Sequence, residues 1–189
     1  MELSSKQIEQ FNKDGYIIFP ELFTSDEIDI FKNEVDRVSK IRSEMVVREG
    51  EDEAVKIMFQ LHEENVETAS PPFRTAARSP RILRTAQQCL GDEELYLHHS
   101  KLNMKSAIEG SAWPWHQDFH SWHLDGIKQP DMVTVTVVLT EASPINGCMY
   151  VLPGSHKQGR SDPRWDDSTA YKLWVARTPD MKEYMKKFP

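Results

Sequence analysis

The chain has 189 residues, 39% of them hydrophobic and 10% aromatic, and a formal net charge of −7. This length suits one domain with a real core, and the composition excludes a disordered chain. The acidic balance, with no basic stripe, argues against nucleic-acid binding, and no apolar run reaches the length of a membrane span.

The N-terminus lacks the basic and apolar regions of a signal peptide, and Cys89 and Cys148 suit neither a zinc site nor a disulfide framework. A reduced, cytoplasmic location is expected. Ser4 and Ser5 offer caps for a helix that Gly15 stops. Tyr16, Ile17, Ile18 and Phe19, closed by Pro20, read as a strand. Thr24 and Glu27 form a capping box, and Ile28, Phe31, Val35 and Val38 give the following helix an apolar stripe as far as about Lys40. Residues 45–48 and 55–59 read as strands flanking an acidic turn, and His62 as a surface or lid residue. Pro71, Pro72 and Pro80 punctuate the chain before a helix over 82–90 that Gly91 closes.

From Glu94 the pattern changes to strands, over 95–104, through His116 and Asp118, over 132–140 and over 148–152. The clearest is 132–140, with Thr134, Thr136 and Thr140 on one face. The tail from Ser161 reads as loop with helical pieces. Helices followed by short strands predict an α+β, mainly β domain, a sheet sandwich or an open-mouthed jelly roll of the cupin kind.

Residues 113–122 read Trp-Pro-Trp-His-Gln-Asp-Phe-His-Ser-Trp. If this stretch is extended, His116 and Asp118 point to one face. An imidazole and a carboxylate then converge, two of the three ligands in the 2-His-1-carboxylate triad of non-haem Fe(II) oxygenases. The alternative is a chance His-x-Asp in an ordinary strand, so the neighbouring motifs have to decide.

Residues 115–123, Asp125-Gly126, residues 137–139, Asn146-Gly147 and residues 151–157 together resemble the phytanoyl-CoA dioxygenase family of Fe(II)/2-oxoglutarate-dependent oxygenases. The His-x-Asp-Phe-x-x-Trp-His run is most similar to that family's ectoine hydroxylase branch. The resemblance implies a double-stranded β-helix with N-terminal helices. It implies one domain over 1–189, incomplete at its C-terminal end, with an N-terminal portion over 1–92 and core strands over 93–157. It implies His116 and Asp118 as Fe(II) ligands, and 2-oxoglutarate and O2 as co-substrates. A small, polar metabolite would be hydroxylated as 2-oxoglutarate is decarboxylated to succinate.

Further roles come from the same resemblance. Asn103 and Thr134 match positions that contact 2-oxoglutarate, Trp113 an aromatic lining its pocket, and Trp122 an aromatic facing the substrate. Lys101, at a co-substrate-binding position, and His99, at a substrate-binding one, depart from the branch, which is expected to carry Arg and Gln there. His99 therefore sets ectoine itself in question. His98 and His99 are adjacent on an expected strand, so only one can reach a pocket. His120 is expected at the pocket rim, and His123 as a structural hydrogen-bonding residue near the loop.

The family's second iron histidine, and an arginine for the distal carboxylate of 2-oxoglutarate, come from a late strand that has no counterpart here. Arg177 is the last arginine. Two readings stay open: a partial gene product of a normal enzyme, or recruitment of His156 as the third ligand. For function, the hydroxylase stands beside a degenerate family member that binds without turnover and a cupin-like metalloenzyme that does not use 2-oxoglutarate.

Overall fold

The computed structural model describes residues 1–108 and 110–188. Two capped helices open the chain. In α1 (Ser5–Asp14) the Ser4 side chain accepts the backbone N–H of Gln7, whose own side chain returns to the Ser4 backbone. Thr24 and Glu27 do the same for α2 (Ser25–Val38). Each such cap is worth about 1 kcal/mol. The apolar stripe of α2 buries Phe31, Val35 and Val38.

The hairpin of β1 (Val46–Glu49) and β2 (Ala54–Phe59) forms as expected, antiparallel, and β3 (Lys101–Asn103) adds to β2 with Ile57 opposite Asn103. Val35 and Val38 of α2 meet Val46, Met58 and Leu61 in the core, with Phe73, Leu102 and Leu139 packed against it. Ile57, Met58 and Val38 are completely buried, each worth about 1.5–3 kcal/mol relative to exposure.

Two short helices follow. Pro71 opens α3 (Pro71–Ala77), and Pro80 opens α4 (Pro80–Leu90), which ends at Gly91 in the left-handed conformation. The prolines at 71 and 72 therefore start a helix as well as punctuating the chain, because the first helical turn needs no N–H donor.

Several expected strands do not form. Residues 16–19 and 148–152 enter no ladder, residues 95–104 contribute only β3, and residues 132–140 are unpaired among the described residues. Val135 and Val138 stand 47% and 58% exposed. Alternation favours an extended chain, but a strand exists only where a neighbour supplies hydrogen bonds. The tail is more ordered than expected. It forms a hairpin of β4 (Arg164–Asp166) and β5 (Leu173–Val175), then α6 (Thr178–Lys187). Trp165 faces Trp174 across the hairpin with centroids 5.3 Å apart. The sheets described are thus one of three strands and one of two.

Candidate metal centre

The extended strand expected through His116 and Asp118 is not what the chain forms. Gln117 is in an extended conformation, but Asp118 is the first residue of α5 (Asp118–Leu124). The two side chains converge all the same, because the change of direction at Gln117 turns the carboxylate back on the imidazole. Nε2 of His116 lies 3.2 Å from Oδ1 of Asp118. Two donors bonded to one metal at about 2.1 Å and at right angles lie about 3 Å apart, so the separation suits adjacent coordination positions.

The far side of each group is occupied. Nδ1–H of His116 donates to the Pro114 carbonyl at 2.8 Å, which orients the ring and turns Nε2 toward the Asp118 carboxylate. The Thr134 hydroxyl donates to Oδ2 of Asp118 at 2.9 Å. The imidazole holds the Asp118 carboxyl down to about 2, against the opposing effect of burial, with Lys101 and Thr134 adding to the lowering. The Asp118 carboxylate raises His116 in turn, above what burial would allow. The pair is 27% and 37% exposed, open enough for a ligand to reach.

On the Asp118 side, where its charge reaches His99 and Tyr171, lies an aromatic wall. The Trp122 ring is 4.9 Å from His99 and 5.0 Å from His98. Both histidines therefore reach it, since residues 98 and 99 are in no strand and their side chains need not alternate. Phe59 touches His99 at 5.8 Å and Tyr171 at 5.9 Å. Burial lowers His99, and the positive Lys101 adds to it.

The Lys101 ammonium lies near the rings of Trp113 and Tyr171, at 5.8 and 5.9 Å. Nε1 of Trp113 is buried with no hydrogen-bond partner among the described residues. A buried donor without an acceptor, close to a cation, suits an anionic ligand. Asn103, at the end of β3, is exposed.

Tyr171 was not among the residues singled out from sequence. It sits between β4 and β5, 5.6 Å from Trp113. Burial pushes its hydroxyl pKa up, and the charges of Asp118 and Asp125 add to the rise. The hairpin is tied to the segment carrying His116 and Asp118 by the Ala176 N–H, which donates to the Trp115 carbonyl at 2.8 Å.

Three other histidines have structural places. His120 is not at a pocket rim: it is 6% exposed and packs against Trp174 at 5.5 Å. In a helix, residue 120 lies about 200° around from residue 118, whereas residue 122 shares its face. His123 donates from Nδ1 to the Ile127 carbonyl at 3.0 Å, the structural bond expected of it. Nε2–H of His156 donates to the Asn12 carbonyl at 3.2 Å, and its ring covers Gly15 at the end of α1. Its place is thus a helix C-terminus. Arg177 is held by Asp162 and Asp180. Among the described residues no three of His, Cys, Asp and Glu gather where they could hold a metal ion.

The family described as Phytanoyl-CoA dioxygenase (PhyH) matches residues 11–186, and the chain belongs to it. It is similar to the ectoine dioxygenase of Bordetella bronchiseptica, at 33% identity over 161 residues that cover 82% of this chain and 50% of that protein. Among solved structures it is similar to EctD from S. alaskensis with bound Fe, at a TM-score of 0.77 and 26% identity, over 98% of this chain and 62% of that one. The same protein with 2-oxoglutarate and 5-hydroxyectoine matches at 0.74 and 25% over the same shares. The chain spans about half the length of the curated relatives it matches.

Proposed function

We propose that the chain carries the metal-binding and co-substrate-binding part of an Fe(II)/2-oxoglutarate-dependent dioxygenase that hydroxylates a small, polar metabolite. The observation that carries this reading is the 3.2 Å approach of His116 Nε2 to Asp118 Oδ1, with the rear of each group tied by Pro114 and Thr134. The relatives named ectoine dioxygenase, and the neighbours with Fe and with 2-oxoglutarate, support the choice of Fe(II), 2-oxoglutarate and O2.

Bound at the pair, Fe(II) would couple the decarboxylation of 2-oxoglutarate by O2, to succinate and CO2, to insertion of the other oxygen atom into a substrate C–H bond. The side chains hold and orient. His116 and Asp118 ligate, Thr134 aims the carboxylate, and Lys101 with the Trp113 N–H receives a carboxylate of the co-substrate. Trp122 and His99 present a face to the substrate, with Tyr171 closing the wall beside Trp113. Asn103 is kept as a co-substrate contact on the family pattern alone.

The double-stranded β-helix is likewise a proposal. The exposed apolar positions Val135, Val138, Tyr150 and Val151 support it, because apolar side chains on extended segments suit strands of a packed sheet. A reducing, cytoplasmic setting is supported by the free thiols of Cys89 and Cys148. No helix among the described residues is long and apolar enough to cross a membrane. A second reading is binding without turnover, for which the His116 and Asp118 pair at 3.2 Å is enough to hold a ligand.

The test is succinate formation with Fe(II), O2 and 2-oxoglutarate, each omitted in turn, beside Fe(II) binding by wild type, His116→Ala, Asp118→Ala and His156→Ala. Binding should vanish in the first two variants and survive in the third. Equal loss in all three would overturn the placement of His156. Metal binding without succinate would favour the non-catalytic reading or a metalloenzyme independent of 2-oxoglutarate.

A further inference from the structure

The β1–β2 ladder contains a bulge. Partners step from Val47 opposite Ile57 to Arg48 opposite Val55, which leaves Lys56 as the extra residue on β2. Bulges re-aim side chains and are over-represented beside functional sites. Lys56 is 1% exposed. Its ammonium lies 3.1 Å from Oε2 of Glu49, whose side chain is 8% exposed.

The pair has a third member. Lys56 donates to the Ser111 carbonyl at 3.3 Å and to the Ser111 hydroxyl. The Ser111 N–H donates to Oε1 of Glu49 at 2.9 Å, and its hydroxyl to Oε2. The Lys56 ammonium also lies 4.8 Å from the centre of the Trp113 ring. Backbone N–H, carbonyl and hydroxyl of Ser111 are thus all engaged by one buried ion pair.

A buried ion pair is poor evidence of stabilisation, because desolvation consumes most of the Coulomb gain, and its attested use is to specify one arrangement. Its neighbour here is the metal motif. Between β3 and α5 the described chain has no regular element, and Ser111 stands five residues before His116. From Ser111 the chain passes to Trp113, against Lys56, and then to Pro114, whose carbonyl orients the ring of His116.

We infer that Glu49 and Lys56 are positioning residues of the metal centre: by clamping Ser111 and Trp113 they place the Pro114 carbonyl, and with it the imidazole of His116. The inference rests on the reading of His116 and Asp118 as metal ligands.

The experiment is a Co(II) titration of the full chain, followed by visible absorption and run beside thermal unfolding. The variants are Lys56→Arg, Ser111→Ala and the double variant Glu49→Gln with Lys56→Met, which removes both charges and strands neither. Co(II) affinity should fall about tenfold or more in the double variant, as for groups that orient metal ligands, with an altered absorption band. It should fall less in Ser111→Ala, and Lys56→Arg should recover most of it. A purely structural pair would shift the unfolding midpoint while affinity and band of the folded protein stay at wild-type values, and that result overturns the inference. If the double variant does not fold, Ser111→Ala decides by the same comparison. Wild-type protein that takes up no Co(II) defeats the metal reading itself, a different outcome from wild-type binding that the variants leave unchanged.

Discussion

The Thr134 hydroxyl donates to Oδ2 of Asp118 at 2.9 Å, so the other carboxylate oxygen faces His116. If Asp118 ligates a metal, as proposed, a hydroxyl in that place would orient the carboxylate without occupying a coordination position. Thr134→Val keeps the shape and removes the donor. Metal affinity should fall about tenfold or more, with little change in the unfolding midpoint, because Thr134 is exposed. Isothermal titration with Co(II) checks the first and thermal unfolding the second.

Lys101 gives a second prediction. If its ammonium receives a carboxylate of 2-oxoglutarate, Lys101→Met should weaken 2-oxoglutarate binding to metal-loaded protein about tenfold or more, since a hydrogen bond to a charged group is worth roughly 1.5–3 kcal/mol. Lys101→Arg should keep most of the affinity. Quenching of tryptophan fluorescence measures it, because Trp113 lies beside the ammonium.

Gly15 ends α1 at φ +80°, and a Cβ there would run into the His156 ring. Gly15→Ala should cost more than about 1 kcal/mol, from strain at positive φ and the displaced imidazole. His156→Ala should cost about 0.5–1.5 kcal/mol, the worth of one hydrogen bond. Neither should change Co(II) affinity. Chemical denaturation and a metal titration on the same samples separate the two effects.

Acid stability should depend on Glu27. Its carboxyl is lowered to about 2, first by the Arg81 guanidinium and then by the Thr24 N–H at the helix start. A lowered folded pKa adds stability above the unfolded value, and that stability is lost as pH falls through the folded one. Between about pH 4.5 and 2, wild type should therefore lose stability more steeply than Glu27→Gln, and the two curves should run parallel near neutrality. Urea midpoints across that range check it.

Much of the N-terminal half was legible because its signals are local. Ser4 with Gln7, Thr24 with Glu27, and Gly15 and Gly91 in the left-handed region each act within one turn of their own helix. The convergence of His116 and Asp118 was also legible, although for a different reason from the one expected: a turn into α5 brings the groups together rather than strand alternation. His120 was misplaced by that same assumption, since helical spacing sends it under Trp174.

Sequence alone determined the capped helices, the β1–β2 hairpin, the metal-capable pair and the family, because each depends on residues close together in the chain or on motifs in fixed order. Only the tertiary structure decided that Tyr171 completes the aromatic wall, that Lys56 reaches Ser111, that His156 closes α1, and that residues 132–140 stand without a ladder among the described residues. These depend on contacts between distant segments. A side chain's chemistry states what it can bond to, whereas packing selects which of many possible partners it meets.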